Sequence, residues 1–318
     1  MDFAGFLGNS GLKSRLSAAV SSGKMSHCYL ITGPEGSGKK TLAKWLSAAM
    51  ECTSSTNRPC RSCPQCRKVL ADAHPDLVVV DDAEKTYVSV DMARWAKTDL
   101  YIRPNEGNKK IYLFPCAGAM NVQAQNALLK VMEEPPEYGV FLLLAERAES
   151  LLPTIRSRCV ELNLSPVSRE EALPFLQREF PEQEREALEA AWRRSGGFLG
   201  QAKTMIADGG AVDERAMGIA EAVADGDRLT LCKILCKLEK LKRDQLIPVL
   251  RQTRALTAEA LSAKSGVAAV TPAAQRLAAK RTAAVLMQVY KDLSEALTAA
   301  DSNVGVGHIC GDLAVRLR

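Results

Sequence analysis

The stretch Cys28-Tyr29-Leu30-Ile31-Thr32-Gly33-Pro34-Glu35-Gly36-Ser37-Gly38-Lys39-Lys40-Thr41 is an apolar run, a glycine-rich turn and the opening of a helical segment that continues to Met50. An apolar run bounded by a turn reads as a buried strand. Gly33 to Lys39 fit the first seven positions of the phosphate-loop pattern, in the strand-to-helix context that the pattern requires. Glycines let the backbone close around phosphate oxygens, and the helix N-terminus supplies N–H donors and a favourable dipole. Lys39 supplies the charge for the β and γ phosphates. The candidate phosphate site is therefore Gly33, Gly36, Ser37, Gly38, Lys39, Lys40 and Thr41.

The eighth position should carry a hydroxyl for Mg²⁺, and here it is Lys40. Thr41 comes one residue late, which on a helix turns it about 100° from the metal. A second strand should end in a carboxylate that orients Mg²⁺, with another that activates water. The strand at Ile111-Tyr112-Leu113-Phe114 is followed instead by Pro115-Cys116. Two parts of one reaction are thus missing. The loop is read as a site for ATP or ADP that does not support hydrolysis. The alternative is a tight strand-to-helix turn whose glycines serve geometry alone.

Outward from the loop, Leu77–Val80, Ile111–Phe114 and Val140–Ala145 read as further strands. Residues 10–23, Val90–Thr98 and Val122–Glu133 read as helices, the last stopped by Pro135-Pro136. Alternating strands and helices imply an α/β domain with a parallel sheet covered on both faces. After Leu164 the pattern is helical, with breaks expected near Gly196-Gly197, Gly226, Pro248, Gly266 and Gly305–Gly307. The expected division is an α/β domain over 1–164, a small helical domain over 165–208 and a C-terminal helical domain over 209–318.

Cys52, Cys60, Cys63 and Cys66 supply four thiolates at spacings that suit a tetrahedral, structural Zn²⁺ in a module over about 51–70. His74 is close enough in sequence to replace one of them but is not needed. The other six of the ten cysteines are scattered, and Cys232 and Cys236 read as core packing on a helix. The net charge of +5 is compatible with nucleic acid nearby and equally with an ordinary surface. The basic run Lys233, Lys237, Lys240, Lys242 and Arg243 reads as a solvated helix face. With no run of eighteen apolar residues, a membrane span is not expected. Met1–Phe6 carries no basic stretch followed by an apolar core, so the cytoplasm is the expected location.

Three strings resemble bacterial DNA polymerase III clamp-loader subunits of the AAA+ family. They are His27 to Lys39, Val122-Gln123-Ala124-Gln125-Asn126-Ala127-Leu128-Leu129-Lys130-Val131-Met132-Glu133-Glu134-Pro135-Pro136, and Leu152-Pro153-Thr154-Ile155-Arg156-Ser157-Arg158-Cys159. The resemblance is closer to the delta-prime branch of that family than to the gamma/tau motor branch, because Pro115-Cys116 stands where the motor needs its acidic pair. It implies an AAA+ domain with an inserted zinc module, a helical lid and a C-terminal collar. It implies partners too: gamma/tau and delta subunits in a hetero-oligomer, a sliding clamp and primer–template DNA. It also implies that Arg158 reaches a neighbour's ATP as an arginine finger, a task suited to a planar, permanently charged group. Without the motif, Arg158 would read as a helix cap or a surface ion-pair partner. The family's first sensor falls near Glu146 and its second near Gly200, with Arg147 and Arg193 close by; neither position carries the usual group. Two rivals stand beside this reading: an active ATPase using Asp81 or Asp82 as unusual metal ligands, and a zinc-bearing adaptor outside replication.

Overall fold

The computed structural model describes residues 6–55, 57–81, 87–207, 212–266, 271–301 and 304–317. Five strands form one parallel sheet in the order β2-β3-β4-β1-β5: β1 (Cys28–Thr32), β2 (Leu77–Val79), β3 (Lys110–Phe114), β4 (Gly139–Ala145) and β5 (Val160–Asn163). Every residue of β1 and β4 is buried, which explains their continuous apolar runs. The strand β5 was not expected. It is four residues long with only Leu162 buried, so it lacks the apolar run that marks the others.

The helices in chain order are α1 (Ser10–Ser21), α2 (Lys39–Glu51), α3 (Pro64–Leu70), α4 (Val90–Asp99), α5 (Val122–Glu133), α6 (Pro153–Arg156), α7 (Arg169–Glu179), α8 (Arg185–Arg194), α9 (Leu199–Ala207), α10 (Glu214–Asp225), α11 (Arg228–Leu238), α12 (Arg243–Lys264), α13 (Pro272–Lys280), α14 (Ala283–Asp301) and α15 (Val306–Arg316). Polar caps set several starts. Ser89 accepts from the Met92 N–H, Asn121 from the Ala124 N–H and Ser168 from the Glu171 N–H.

Alternation along the strands sends side chains to two cores. Leu30, Tyr112, Phe114, Phe141 and Leu143 face the side packed by α4 and α5, with Phe141 stacked between Tyr112 and Phe114. Tyr29, Ile31, Ile111, Leu142 and Leu144 face the side packed by α1 and α2.

The chain divides into two compact units, residues 1–182 with 196–203, and residues 183–195 with 204–318. Of the helices after residue 165, α7 lies in the first unit, α8 in the second, and α9 is divided between them. In the second unit α12 packs against α10, α13 and α14, and α11 packs against α10 and α15. The break expected at Pro248 is absent, because α12 runs through it. Its buried stripe of Leu246, Val249, Leu250, Thr253, Leu256, Thr257 and Ala260 holds the helix across the missing N–H. Cys236 is exposed and Cys232 half-buried, which corrects their reading as core. The buried stripe of α11 is Leu231, Leu235 and Leu238, and both cysteines lie beside it.

One buried carboxylate organises the loop before β3. Asp76 accepts the N–H groups of Asn105 (2.6 Å), Glu106 (2.9 Å) and Gly107 (2.8 Å). Burial pushes its pKa up, but these donors outweigh burial and hold it below the usual value. A depressed pKa stabilises the fold above the unfolded value near 4, and that contribution is lost as pH falls towards the folded value. Asp76→Asn should cost about 1–3 kcal/mol at neutral pH in urea unfolding. The difference from the native chain should shrink as pH falls below the unfolded value.

Candidate functional site: the phosphate loop and the Arg158 turn

The loop Gly33–Gly38 leaves the C-terminal end of β1, where ligands of open α/β sheets bind. The Gly33 N–H still donates to Ala145 O at the end of β4 (3.3 Å), so Glu146 follows directly beside the loop. Lys39 Nζ folds over the loop and donates to Gly33 O (2.5 Å) and Pro34 O (2.8 Å). Burial lowers its pKa, while the Glu146 charge acts in the opposite direction. Gly36 has φ +71° and Gly200, opening α9, packs on it. The Gly200 N–H donates to Gly36 O (2.9 Å), and Gln201 Nε2 donates to Glu35 O (2.7 Å). A Cβ at Gly200 would stand 2.6 Å from Gly36 Cα, so no side chain fits at position 200. A cleft of about 470 Å³ opens beside the loop, walled by Phe6, Leu7, Val167, Phe175 and Phe198. Its size is that of a small-ligand pocket.

The donor set fits phosphate. The loop ends on the N-terminus of a thirteen-residue helix, and the buried Ser37 Oγ has no partner among the described residues. It does not fit Mg²⁺ bound in the usual way. Lys40, where the pattern has a metal-binding hydroxyl, is exposed, and β3 is followed by Pro115 and Cys116 rather than carboxylates. Burial raises the Cys116 thiol, with the Asp81 charge acting in the same direction and Lys40 against it. Asp82, the other candidate ligand, lies outside the described residues.

Arg158 sits on the turn between α6 and β5. Its guanidinium donates to Glu133 Oε1 (2.9 Å) at the end of α5 and to Thr154 O (2.8 Å). Its Nε has no partner among the described residues. The Glu133 pair is partly exposed, and such pairs contribute only ~0–1 kcal/mol. Gln125, inside the second family string, was not singled out from the sequence. Its buried amide donates to Met120 O (3.0 Å) and accepts from the Leu152 N–H (2.7 Å), fixing the approach to α6. Nothing in the sequence pointed to it, since a buried amide has no sequence signature of its own. His27 is structural, with Nε2 3.0 Å from Met132 O.

Cys52, Cys60, Cys63 and Cys66 converge, their sulfurs all within 4.8 Å of one another. Four sulfurs around one Zn²⁺ at about 2.3 Å would stand roughly 3.8 Å apart. Backbone N–H groups of Cys60, Cys63 and Cys66 donate to the sulfurs of Cys52, Cys60 and Cys63. The Ser62 hydroxyl, with the Cys63 N–H and other donors, lowers the Cys60 thiol to about 6. This cluster can hold a metal ion. His74 is engaged elsewhere: its Nδ1 accepts from the Asp76 N–H (3.1 Å), and its Nε2 donates to Gln65 Oε1 (2.9 Å).

A five-stranded parallel sheet in this order, with a phosphate loop after its first strand and a helical region beyond, fits the AAA+ class of P-loop proteins. The sequence profile described as "DNA polymerase III, delta subunit" matches residues 8–168, just over half of the 318, and the chain belongs to that family. Among curated relatives, it is 36% identical to the DNA polymerase III subunit delta' of Pseudomonas aeruginosa over 201 residues, 62% of this chain and 60% of that protein. It is 31% identical to the DNA polymerase III subunit gamma of Buchnera aphidicola subsp. Schizaphis graminum over 175 residues, 55% of this chain and 48% of that protein. It is also 31% identical to the DNA polymerase III subunit tau of Escherichia coli over 236 residues, 71% of this chain and 36% of that protein. The matches therefore span from about a third to three-fifths of those relatives. No described helix is long and apolar enough to cross a membrane.

Gly200→Ala should force Gly36 and the loop apart. The expected cost is about 1–3 kcal/mol, read as a lower midpoint in urea unfolding. Gly11→Ala, where nothing lies within 4 Å of the new Cβ, should serve as a neutral control for crowding.

Proposed function

We propose that this chain is a clamp-loader subunit of the bacterial replicative DNA polymerase that does not hydrolyse ATP and supplies Arg158 in trans to a neighbouring ATPase subunit. The observation that carries this reading is the replacement of the metal ligands by Lys40 and Pro115-Cys116, next to an intact Ser157-Arg158-Cys159 turn. Gly33, Gly36, Ser37, Gly38, Lys39, Lys40 and Thr41 would hold the phosphates of ATP or ADP. Lys39 would first have to leave its own loop carbonyls. The ammonium of Lys40 repels a dication, and neither proline nor a thiol with a raised pKa can serve as the usual general base.

Arg158 does its work outside this chain's own loop. It must exchange Glu133 for an anionic oxygen, and a partly exposed ion pair is a weak restraint on that exchange. The guanidinium then offers paired N–H donors and a fixed positive charge where negative charge develops on a transferring phosphoryl group. Residues 165–208 as a helical lid and 209–318 as a collar that joins gamma/tau and delta subunits belong to the same proposal. So does the support of sliding-clamp loading on primer–template DNA. The Cys52, Cys60, Cys63 and Cys66 cluster would hold structural Zn²⁺, closing its shell and leaving no position for a reacting water.

In a complex reconstituted with a competent gamma-type ATPase, Arg158→Ala should lower ATP turnover by about 10² or more. Arg158→Lys should recover little of it, because an ammonium lacks the planar fork. Unchanged turnover would sink the trans role, and Mg²⁺-dependent turnover by the isolated chain, abolished by Lys39→Ala, would restore the active-ATPase reading. Metal analysis should find one zinc per chain. A chelator should remove it more readily as pH falls, since protons compete for the thiolates. Cys63→Ser should lose the metal and lower the melting temperature.

A further inference from the structure

Two cysteines that look unrelated in sequence meet at the base of the Arg158 turn. Cys28 opens β1 and Cys159 immediately precedes β5. The ladder between these strands sets Tyr29 opposite Val160, so one residue earlier Cys28 stands opposite Cys159. Neighbours in register on parallel strands point to the same face. Their Sγ atoms are 2.9 Å apart, inside the ordinary contact distance of two sulfurs. Adjacent strands lie about 4.8 Å apart. That falls inside the roughly 4.4–6.8 Å range of Cα separations that a disulfide spans. The two sulfurs are thus already within about 0.9 Å of the bonded separation of about 2.05 Å.

We propose that Cys28 and Cys159 form a reversible thiol–disulfide site whose oxidation ties the first residue of β1 to the turn that carries Arg158. The oxidant is a small disulfide of the glutathione class. Cys28 is fully buried and Cys159 is half-buried, so Cys159 is the entry point. The hydrogen bond with Cys159, together with burial, pushes the Cys28 thiol well up, which fits its acting second. The Cys159 thiolate attacks one sulfur of the oxidant, breaks its S–S bond, forms a mixed disulfide and releases one small thiolate. Cys28 then attacks Cys159 Sγ and gives up its proton to the second departing thiolate. Two protein thiols lose two electrons and two protons, and one small disulfide becomes two thiols.

The turn is held otherwise by short-range bonds. The Arg158 N–H donates to Ile155 O (3.1 Å) and the Cys159 N–H to Arg156 O (3.1 Å), while the guanidinium leans on Glu133. A covalent tie to a fully buried strand would remove much of the remaining freedom. This chemistry does not depend on what Arg158 does to a partner.

The full-length, metal-loaded chain is incubated with oxidised glutathione, quenched with an alkylating agent, weighed intact and mapped by non-reducing digestion. Against the untreated, equally alkylated chain unfolded during the quench, the treated chain should carry two fewer alkyl groups, with the Cys28 and Cys159 peptides joined, and dithiothreitol added before the quench should reverse both changes. Cys28→Ala should stop at a glutathione adduct on Cys159. Amide hydrogen exchange over residues 155–160 should slow several-fold in the crosslinked chain. A lasting adduct on Cys159 in the native sequence would overturn the proposal. So would both thiols staying reduced while exposed Cys236 is modified, or unchanged exchange after crosslinking.

Discussion

The register of β1 is the constraint on which the other parts depend. It is a fully buried strand between β4 and β5, paired to both along its length. A slip of one residue would send Leu30 to the face now occupied by Tyr29 and Ile31, exchanging two cores at once. The cost of that exchange fixes three sites together. At one end of the strand, Gly33 is placed beside Ala145 and Glu146. Along its length, Thr32 is paired with Asn163. At the other end, Cys28 lies against Cys159 and hence beside Arg158.

The phosphate loop satisfies its lysine and one face of its backbone from within the chain. Lys39 spends its donors on Gly33 and Pro34, and Gly36 is covered by Gly200 at van der Waals limits. A side chain at 200 would open that contact, so glycine at 200 and the tight cover of the loop are one feature. Charge acts at the same place. Burial and the neighbouring Lys40 cation lower the Lys39 pKa, and the Glu146 charge opposes them. What stays available is Ser37 Oγ and a cleft with an apolar wall.

The cysteines divide by how they are brought together. Cys52, Cys60, Cys63 and Cys66 lie within fifteen residues, and short-range turns capped by Cys63 at α3 are enough to gather them. Their spacing was therefore readable directly. Cys28 and Cys159 are separated by 131 positions, and only strand pairing across the sheet makes them neighbours. Cys232 and Cys236 show the reverse case. Their apolar surroundings suggested a core place, but the helix stripe is set by Leu231, Leu235 and Leu238.

The sequence by itself determined the glycine-rich strand-to-helix turn at Gly33–Lys39, four of the five strands, the gathering of Cys52, Cys60, Cys63 and Cys66, and Pro115-Cys116 in place of carboxylates after β3. Each of these is written in a short contiguous pattern whose chemistry is local. It did not disclose β5, the unbroken α12, the roles of Gln125 and Asp76, the cover of Gly36 by Gly200, or the Cys28–Cys159 contact. A four-residue strand with one buried side chain carries too little apolar signal, and a proline in a helix is tolerated only when a long buried face outweighs the lost hydrogen bond. The remaining features join residues far apart in the chain. Their contacts exist only once a twisted parallel sheet has chosen its strand order, which is a property of the packed cores rather than of any one segment.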